Sequence, residues 1–216
     1  MALGRPHRRL YDQLRSITTN TAPARRIVEW GCGGGANAVH FISEAREFCG
    51  IEISQASLDE CGRVLLEAGF EGFRGVLIDA ERPEEAVQTA GQGFDFFLST
   101  YVFELIPSRK YGERILHAAY QMLRPGGLAL VQIRYDDGSD RSKQKHFDYF
   151  RDCTRFTSYR IDQFWAIVES IGFAPEFVWL APRQTEEFSG DLYAYFGMRK
   201  PALQGNGVVT TESAIR

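Results

Sequence analysis

The sequence predicts an α/β fold, a doubly wound and mostly parallel sheet with helices on both faces. Two observations carry this. Short apolar runs alternate with amphipathic stretches through residues 26–133, the pattern of successive βαβ units. Four glycines (Gly31, Gly33, Gly34 and Gly35) crowd together directly after the first apolar run, where the chain must turn tightly or let a ligand approach its backbone.

Each element follows from its own residues. RIVEW (26–30) reads as a buried strand, ANAVHFISEA (36–45) as the helix after the glycines, and EFCGIEI (47–53) as the next strand. QASLDECGRVLLEAG (55–69) sets Leu58, Cys61, Leu65 and Ala68 at helical spacing. FRGVLID (73–79) is a strand, and PEEAVQTA (83–90) a short helix with Pro83 in its first turn. FDFFLST (94–100), SRKYGERILHAAYQML (108–123) and LALVQI (128–133) continue as strand, helix and strand, with RPGG closing the helix. After Ile133 the rhythm breaks into a long polar insert punctuated by aromatics, residues 134–158, of the kind that is usually functional in a compact domain. A helix at 159–172 places Ile161, Phe164, Trp165 and Val168 on one face, and two closing strands are expected at 173–181 and 190–200. The tail, 201–216, has no periodic apolar pattern and is expected to be loose.

Composition narrows the function. The 216 residues suit one domain, and 44% hydrophobic residues suffice for a sizeable core. Lys plus Arg is 25 against 28 Asp plus Glu, a net charge of −3, which does not suggest a nucleic-acid partner. No apolar run approaches the roughly 18 residues needed to span a bilayer, and the N-terminal stretch lacks the apolar core of a secretory signal. Cys32, Cys49, Cys61 and Cys153 show no C-x-x-C spacing and read as reduced, buried thiols. The expectation is a cytoplasmic protein with no membrane partner.

The glycine loop admits two ligands. Gly31-x-Gly33-x-x-Ala36 satisfies the dinucleotide fingerprint, with Glu52 placed as the ribose-binding acid, so a nicotinamide or flavin enzyme competes. Glu29 argues the other way. A carboxylate at the end of an apolar strand is costly to bury without a donor; it would repel a pyrophosphate and welcome an ammonium.

At this point the chain resembles the class I S-adenosylmethionine-dependent methyltransferases. Their loop reads acid-x-Gly-x-Gly-x-Gly, here Glu29-Trp30-Gly31-Cys32-Gly33-Gly34-Gly35. The resemblance runs over roughly residues 25–135. GIEIS, LIDAE, FDFFLSTYVFELIPS and MLRPGGLALVQI look like the family's later motifs, in order. The resemblance implies a seven-stranded sheet whose last strand is antiparallel, which the two closing strands fit. It implies S-adenosyl-L-methionine as cofactor, with Gly31, Cys32 and Gly33 against the methionyl part and Glu29 answering its ammonium. Glu52 would take both ribose hydroxyls, with Ile53 beside it. Asp79 would lie near the adenine amino group, or else cap the segment that follows, and Ala80 would offer the ring a backbone amide. Ser99 and Thr100 would lie beneath the reactive methyl. An N-terminal helical cover (1–24) would precede the methyltransferase domain (25–200).

The chemistry is an in-line displacement that needs alignment and a dry site. Tyr101 and Phe103 could turn aromatic faces to the sulfonium, with Glu104 beside them. The loop has no Asn/Asp-Pro-Pro-aromatic motif, no second glutamate, and Leu105 where related small-molecule enzymes often have histidine. A base must therefore come from elsewhere, and His146 in the insert is the candidate. Tyr135, Asp136 and Asp137 lie near the expected acceptor or form a solvated turn. No metal is expected, because Ser99 and Thr100 are not carboxylates. His40 and His117 read as structural, and His7 is uninformative. Arg5, Arg8, Arg9 and Arg15 read as a solvated helix face. The expected function is methyl transfer to a small-molecule acceptor at a hydroxyl oxygen, by a monomer or homodimer. The alternatives are a non-catalytic S-adenosylmethionine-binding or regulatory protein, and an NAD(P)-dependent oxidoreductase, although Tyr-x-x-x-Lys does not occur.

Overall fold

A computed structural model describes residues 4–20, 22–139, 142, 157–181 and 192–202. Seven strands form one sheet: β1 (Arg26–Trp30), β2 (Glu47–Glu52), β3 (Phe73–Leu77), β4 (Phe94–Ser99), β5 (Leu123–Arg134), β6 (Ala174–Leu180) and β7 (Tyr193–Arg199). Their order is β3-β2-β1-β4-β5-β7-β6. β1 to β5 pair in parallel, and β7 runs antiparallel to both of its neighbours. The helices are α1 (Gly4–Ile17), α2 (Gln55–Glu67), α3 (Ala86–Ala90), α4 (Arg109–Met122) and α5 (Ile161–Ile171).

Local chemistry sets the helix limits. Ser54 and Ser108 cap α2 and α4, their hydroxyls accepting from the amides of Ser57 at 3.3 Å and Tyr111 at 3.2 Å. α5 stops at Gly172, whose φ of 111° is open to a residue without Cβ. Each sheet face carries its own core. Leu10, Tyr11 and Leu14 of α1 and Leu58, Cys61 and Leu65 of α2 pack with Phe41, Phe48 and Phe96 on one side. Ile115, Leu116 and Ala119 of α4 and Phe164 and Val168 of α5 pack with Phe97, Val131 and Phe196 on the other.

Three expectations change. The segment 36–45 is not an α-helix but a single 3-10 turn, Ala38–His40. Its bonds span three residues (His40 N–H to Asn37 O, 2.9 Å; Phe41 N–H to Ala38 O, 2.9 Å). Glu44 just beyond is drawn to α1 by Arg8 at 3.0 Å and Arg15 at 3.3 Å. The same pairs correct the reading of a solvated face for Arg8 and Arg15, which also lie 5.4 and 5.5 Å over the Tyr11 ring, while Arg5 and Arg9 are exposed as expected. β5 begins at Leu123, so RPGG lies within the strand, where the pairing with β4 shifts register between Phe94 and Phe96. Most of the insert, and the tail from residue 203, lie outside the described residues. Among the described residues no helix is long and apolar enough to cross a membrane.

Register builds the site. Glu29 pairs with Leu98, Leu98 with Leu130, and Leu130 with Gly197. Side chains alternate along a strand, so two residues on, Thr100 and Gln132 stand on this same face. Gln132 pairs with Tyr195, which completes a polar row at the carboxyl ends of the parallel strands, on the face that α1 covers.

Candidate functional site

The glycine loop turns directly off β1. The amide of Gly31 donates to Ile51 O at 2.8 Å, and that of Gly35 to Cys32 O at 3.0 Å. Gly31 (φ 73°) serves packing, since a Cβ there would stand 2.3 Å from Val102 Cγ2. Gly33 (φ 50°) differs, because a Cβ there would meet nothing within 4 Å, leaving that stretch of backbone open to a ligand. Cys32 is buried; the hydrogen bond with the Cys61 thiol and then burial push its own thiol far above the ordinary range. The described cysteines Cys32, Cys49 and Cys61 are free thiols.

Glu29 is fully buried. Its Oε1 accepts from Asn37 Nδ2 at 2.6 Å, while its Oε2 has no hydrogen-bond partner. Burial pushes this carboxyl well above the usual range, with the Asn37 bond opposing and Cys61 and Glu52 adding to the rise. Asn37 Nδ2 also donates to Thr100 Oγ1 at 2.9 Å, which leaves Asn37 Oδ1 2.6 Å from Nδ1 of His7. His7 Nε2 lies 3.2 Å from the Tyr195 hydroxyl. Burial lowers the His7 pKa, partly opposed by the Asn37 bond and aided by His40.

The end of β2 is more open. Glu52 is half-buried there and, among the described residues, accepts its neighbour's amide, that of Ile53, at 3.1 Å. Ile53 is 61% exposed, an apolar side chain free to cover a flat ring. Asp79 is exposed and tied to its own turn. Its carboxylate takes the Glu81 amide at 2.9 Å and pairs with Arg82 at 3.0 Å, and these contacts hold its pKa down. These local contacts suit the capping role open to Asp79. Ala80 is exposed, and its carbonyl accepts from the Tyr111 hydroxyl at 2.6 Å.

Ser99 is buried, and its hydroxyl donates to Trp30 O at 3.2 Å. Tyr101 has a φ of 59°, rare for a bulky residue and often a mark of a functional position. Gln132 holds it there, accepting the Tyr101 amide at 3.3 Å. The half-exposed Tyr101 ring packs edge-on against Tyr193, 5.6 Å between centroids, and lies 5.9 Å from His7. Glu104 is buried and accepts from the Tyr193 hydroxyl at 3.3 Å. Phe103 is fully buried and packs with Tyr159 and Phe164 in the opposite core, so it offers no face to a sulfonium. His146 lies outside the described residues. His40 sits in the 3-10 turn, and His117 is exposed on α4. Among the described residues no three His, Cys, Asp or Glu are grouped as a metal site.

Sequence reasoning missed His7, Asn37, Gln132, Tyr193 and Tyr195. Two signals were there. His7 precedes Leu10, Tyr11 and Leu14 at helical spacing, on the buried stripe, and Gln132 interrupts an otherwise apolar strand.

A glycine turn with an open backbone, a buried acid beside it and a second acid ending β2 stand at the carboxyl ends of the parallel strands of this α/β protein. Residues 4–176 match a family described as a methyltransferase domain, and the chain belongs to that family. Comparison with curated proteins finds no match. Among solved structures, the N-methyltransferase NodS from Bradyrhizobium japonicum WM9, in complex with S-adenosyl-L-homocysteine, is 13% identical with a TM-score of 0.66, covering 93% of this chain and 90% of its own. Magnesium protoporphyrin IX methyltransferase from Synechocystis PCC 6803 is 11% identical with a TM-score of 0.63, covering 90% and 83%. The cyclase SpnF is 17% identical with a TM-score of 0.67, covering 90% and 82%. At these identities the likeness is one of fold.

Proposed function

We propose that this protein transfers the methyl group of S-adenosyl-L-methionine to a small-molecule acceptor at a hydroxyl oxygen. One observation carries the cofactor: the buried, half-partnered Glu29 carboxylate beside the glycine turn. A lone buried carboxylate oxygen is costly. The ammonium of a methionyl group relieves that cost, and a dinucleotide's pyrophosphate would add to it. Family membership, open Gly33, half-buried Glu52 and exposed Ile53 support the same donor.

The donor supplies a methyl on a sulfonium, already a good leaving group. The chain supplies alignment and exclusion of water. Glu29 and the loop amides hold the methionyl end, and Glu52 holds the ribose. Tyr101 and Tyr193 present aromatic edges and faces at the mouth, beside Glu104. The hydroxyl acceptor rests on the phenols of Tyr101, Tyr193 and Tyr195, which can hydrogen-bond an uncharged, proton-bearing group.

Calorimetry with S-adenosylmethionine, its demethylated product and NADH tests the donor; binding of NADH alone would overturn it. A search for 14-mass-unit gains among metabolites incubated with protein and donor tests transfer. Donor binding without any methylated product would favour the non-catalytic alternative.

A further inference from the structure

The loop after β4 has no histidine, so the proposed reaction lacks a base at the usual place. The structure puts another histidine at the same strand ends. His7 comes from α1, is 1% exposed, and touches residues of the glycine connection and β7.

The network determines which nitrogen carries the ring proton. Asn37 Nδ2 faces two oxygens, Glu29 Oε1 and Thr100 Oγ1, so the amide's donors are committed there. Its oxygen therefore faces His7, and an amide oxygen only accepts. With Glu29 as the carboxylate and Asn37 so oriented, Nδ1 of His7 is the protonated nitrogen. In the neutral ring this leaves Nε2 with a lone pair, aimed at the Tyr195 hydroxyl. The groups around the ring keep it uncharged at rest. Burial is the largest influence, and His40 from the 3-10 turn adds to it. Glu29 of β1 reaches the ring only through Asn37. From β7 and the β4 loop come phenols, Tyr195 and Tyr101, with Tyr193 and Glu104 one contact further. Tyr195 itself is held protonated by burial and by contact with Tyr101, whose ring is half-exposed.

We propose that His7 takes up the acceptor's proton at Nε2, relayed by the Tyr195 hydroxyl, during methyl transfer. This rests on the methyl-transfer reading above. The acceptor oxygen bonds to the methyl carbon, the carbon–sulfur bond breaks, and its electron pair stays on sulfur as a neutral thioether. The acceptor's proton passes to the Tyr195 oxygen as Tyr195 gives its own to Nε2. The positive charge lost at sulfur reappears on the imidazolium, near Glu29 and Asn37. The imidazolium returns the proton to water after product leaves. Asn37 is a positioning residue, fixing the tautomer.

The test begins without an acceptor. Two-bond nitrogen–proton NMR of 15N-labelled protein, saturated with S-adenosylhomocysteine, reads each histidine's tautomer, with His7 assigned by its loss in His7→Gln. The expected result is a neutral ring at pH 7, protonated at Nδ1. An Nε2-protonated ring, or an imidazolium at pH 7, overturns the proposal. With the acceptor found by the mass-shift search, His7→Gln keeps the Tyr195 hydrogen bond but takes up no proton. It should lower kcat about 100-fold, abolish the acid limb of the pH–rate profile, and leave product affinity within about twofold. Tyr195→Phe keeps the ring and should produce the same loss, which covers the case of a misfolded His7 variant. Wild-type rate and pH profile in either variant overturn the proposal. Failure of wild-type protein to bind S-adenosylhomocysteine overturns the functional reading, and this one with it, whatever the His7 tautomer.

Discussion

Glu29 is the residue on which the cofactor reading turns. Burial holds its carboxyl above the usual range, so around that raised value the free protein binds a proton there. An ammonium favours the carboxylate, so binding should release a proton. Calorimetry in buffers of differing ionisation enthalpy reads that release directly, and affinity should rise with pH until Glu29 ionises in the free protein. Glu29→Gln should remove the release and weaken S-adenosylmethionine binding about 10- to 100-fold, the worth of one charged hydrogen bond. Wild-type binding with no proton release would place the ammonium elsewhere. Glu52 is tested separately. Glu52→Ala removes two proposed ribose bonds and should cost roughly 2–4 kcal/mol of binding, about 30- to 1,000-fold. An unchanged dissociation constant would show that the ribose lies elsewhere.

At the scale of elements, the glycine turn and α1 make separable contributions. Gly33→Val fills space that is empty in the free protein, at a φ of 50° that a branched side chain resists. It should cost the fold about 1–2 kcal/mol by that conformational strain while abolishing cofactor binding. Thermal melts and calorimetry on the same sample separate the two effects. α1 reports on packing instead. Leu14 is fully buried against the sheet, and Leu14→Ala should cost about 2–5 kcal/mol in chemical denaturation. The glycine turn was legible in the sequence because glycines at forced turns leave a local mark. The 3-10 turn at Ala38–His40 was not, because helix-like apolar spacing continues through Phe41 and Ile42. What shortens the helix is the draw of Glu44 to arginines on α1, a contact no local pattern shows.

For the whole molecule, two buried titratable groups act on stability in opposite directions. His7 has a folded pKa below its ordinary 6.5, so its contribution is complete above pH 6.5 and is lost as pH falls through the lowered value. Glu29 has a folded pKa above 4.5, so its contribution is complete below pH 4.5 and is lost as pH rises through the raised value. His7→Gln should therefore flatten the acid side of the melting-temperature profile, and Glu29→Gln the alkaline side. A profile unchanged by either substitution would show that these groups ionise as freely folded as unfolded.

The alternation of apolar runs, the glycine turn and the acids ending β1 and β2 are local patterns, and the sequence by itself determined from them the seven strands, the helices other than that at 36–45, and the family. The Glu29–Asn37–His7–Tyr195 chain was decided only by tertiary structure. Its members lie up to 188 positions apart, between His7 and Tyr195. Strand register and the docking of α1 bring them together, and both follow from burial over the whole sheet face. A histidine near the N-terminus carries no sign of a distant asparagine and tyrosine. Only when the apolar stripe of α1 settles on the sheet does the ring become a buried, neutral base.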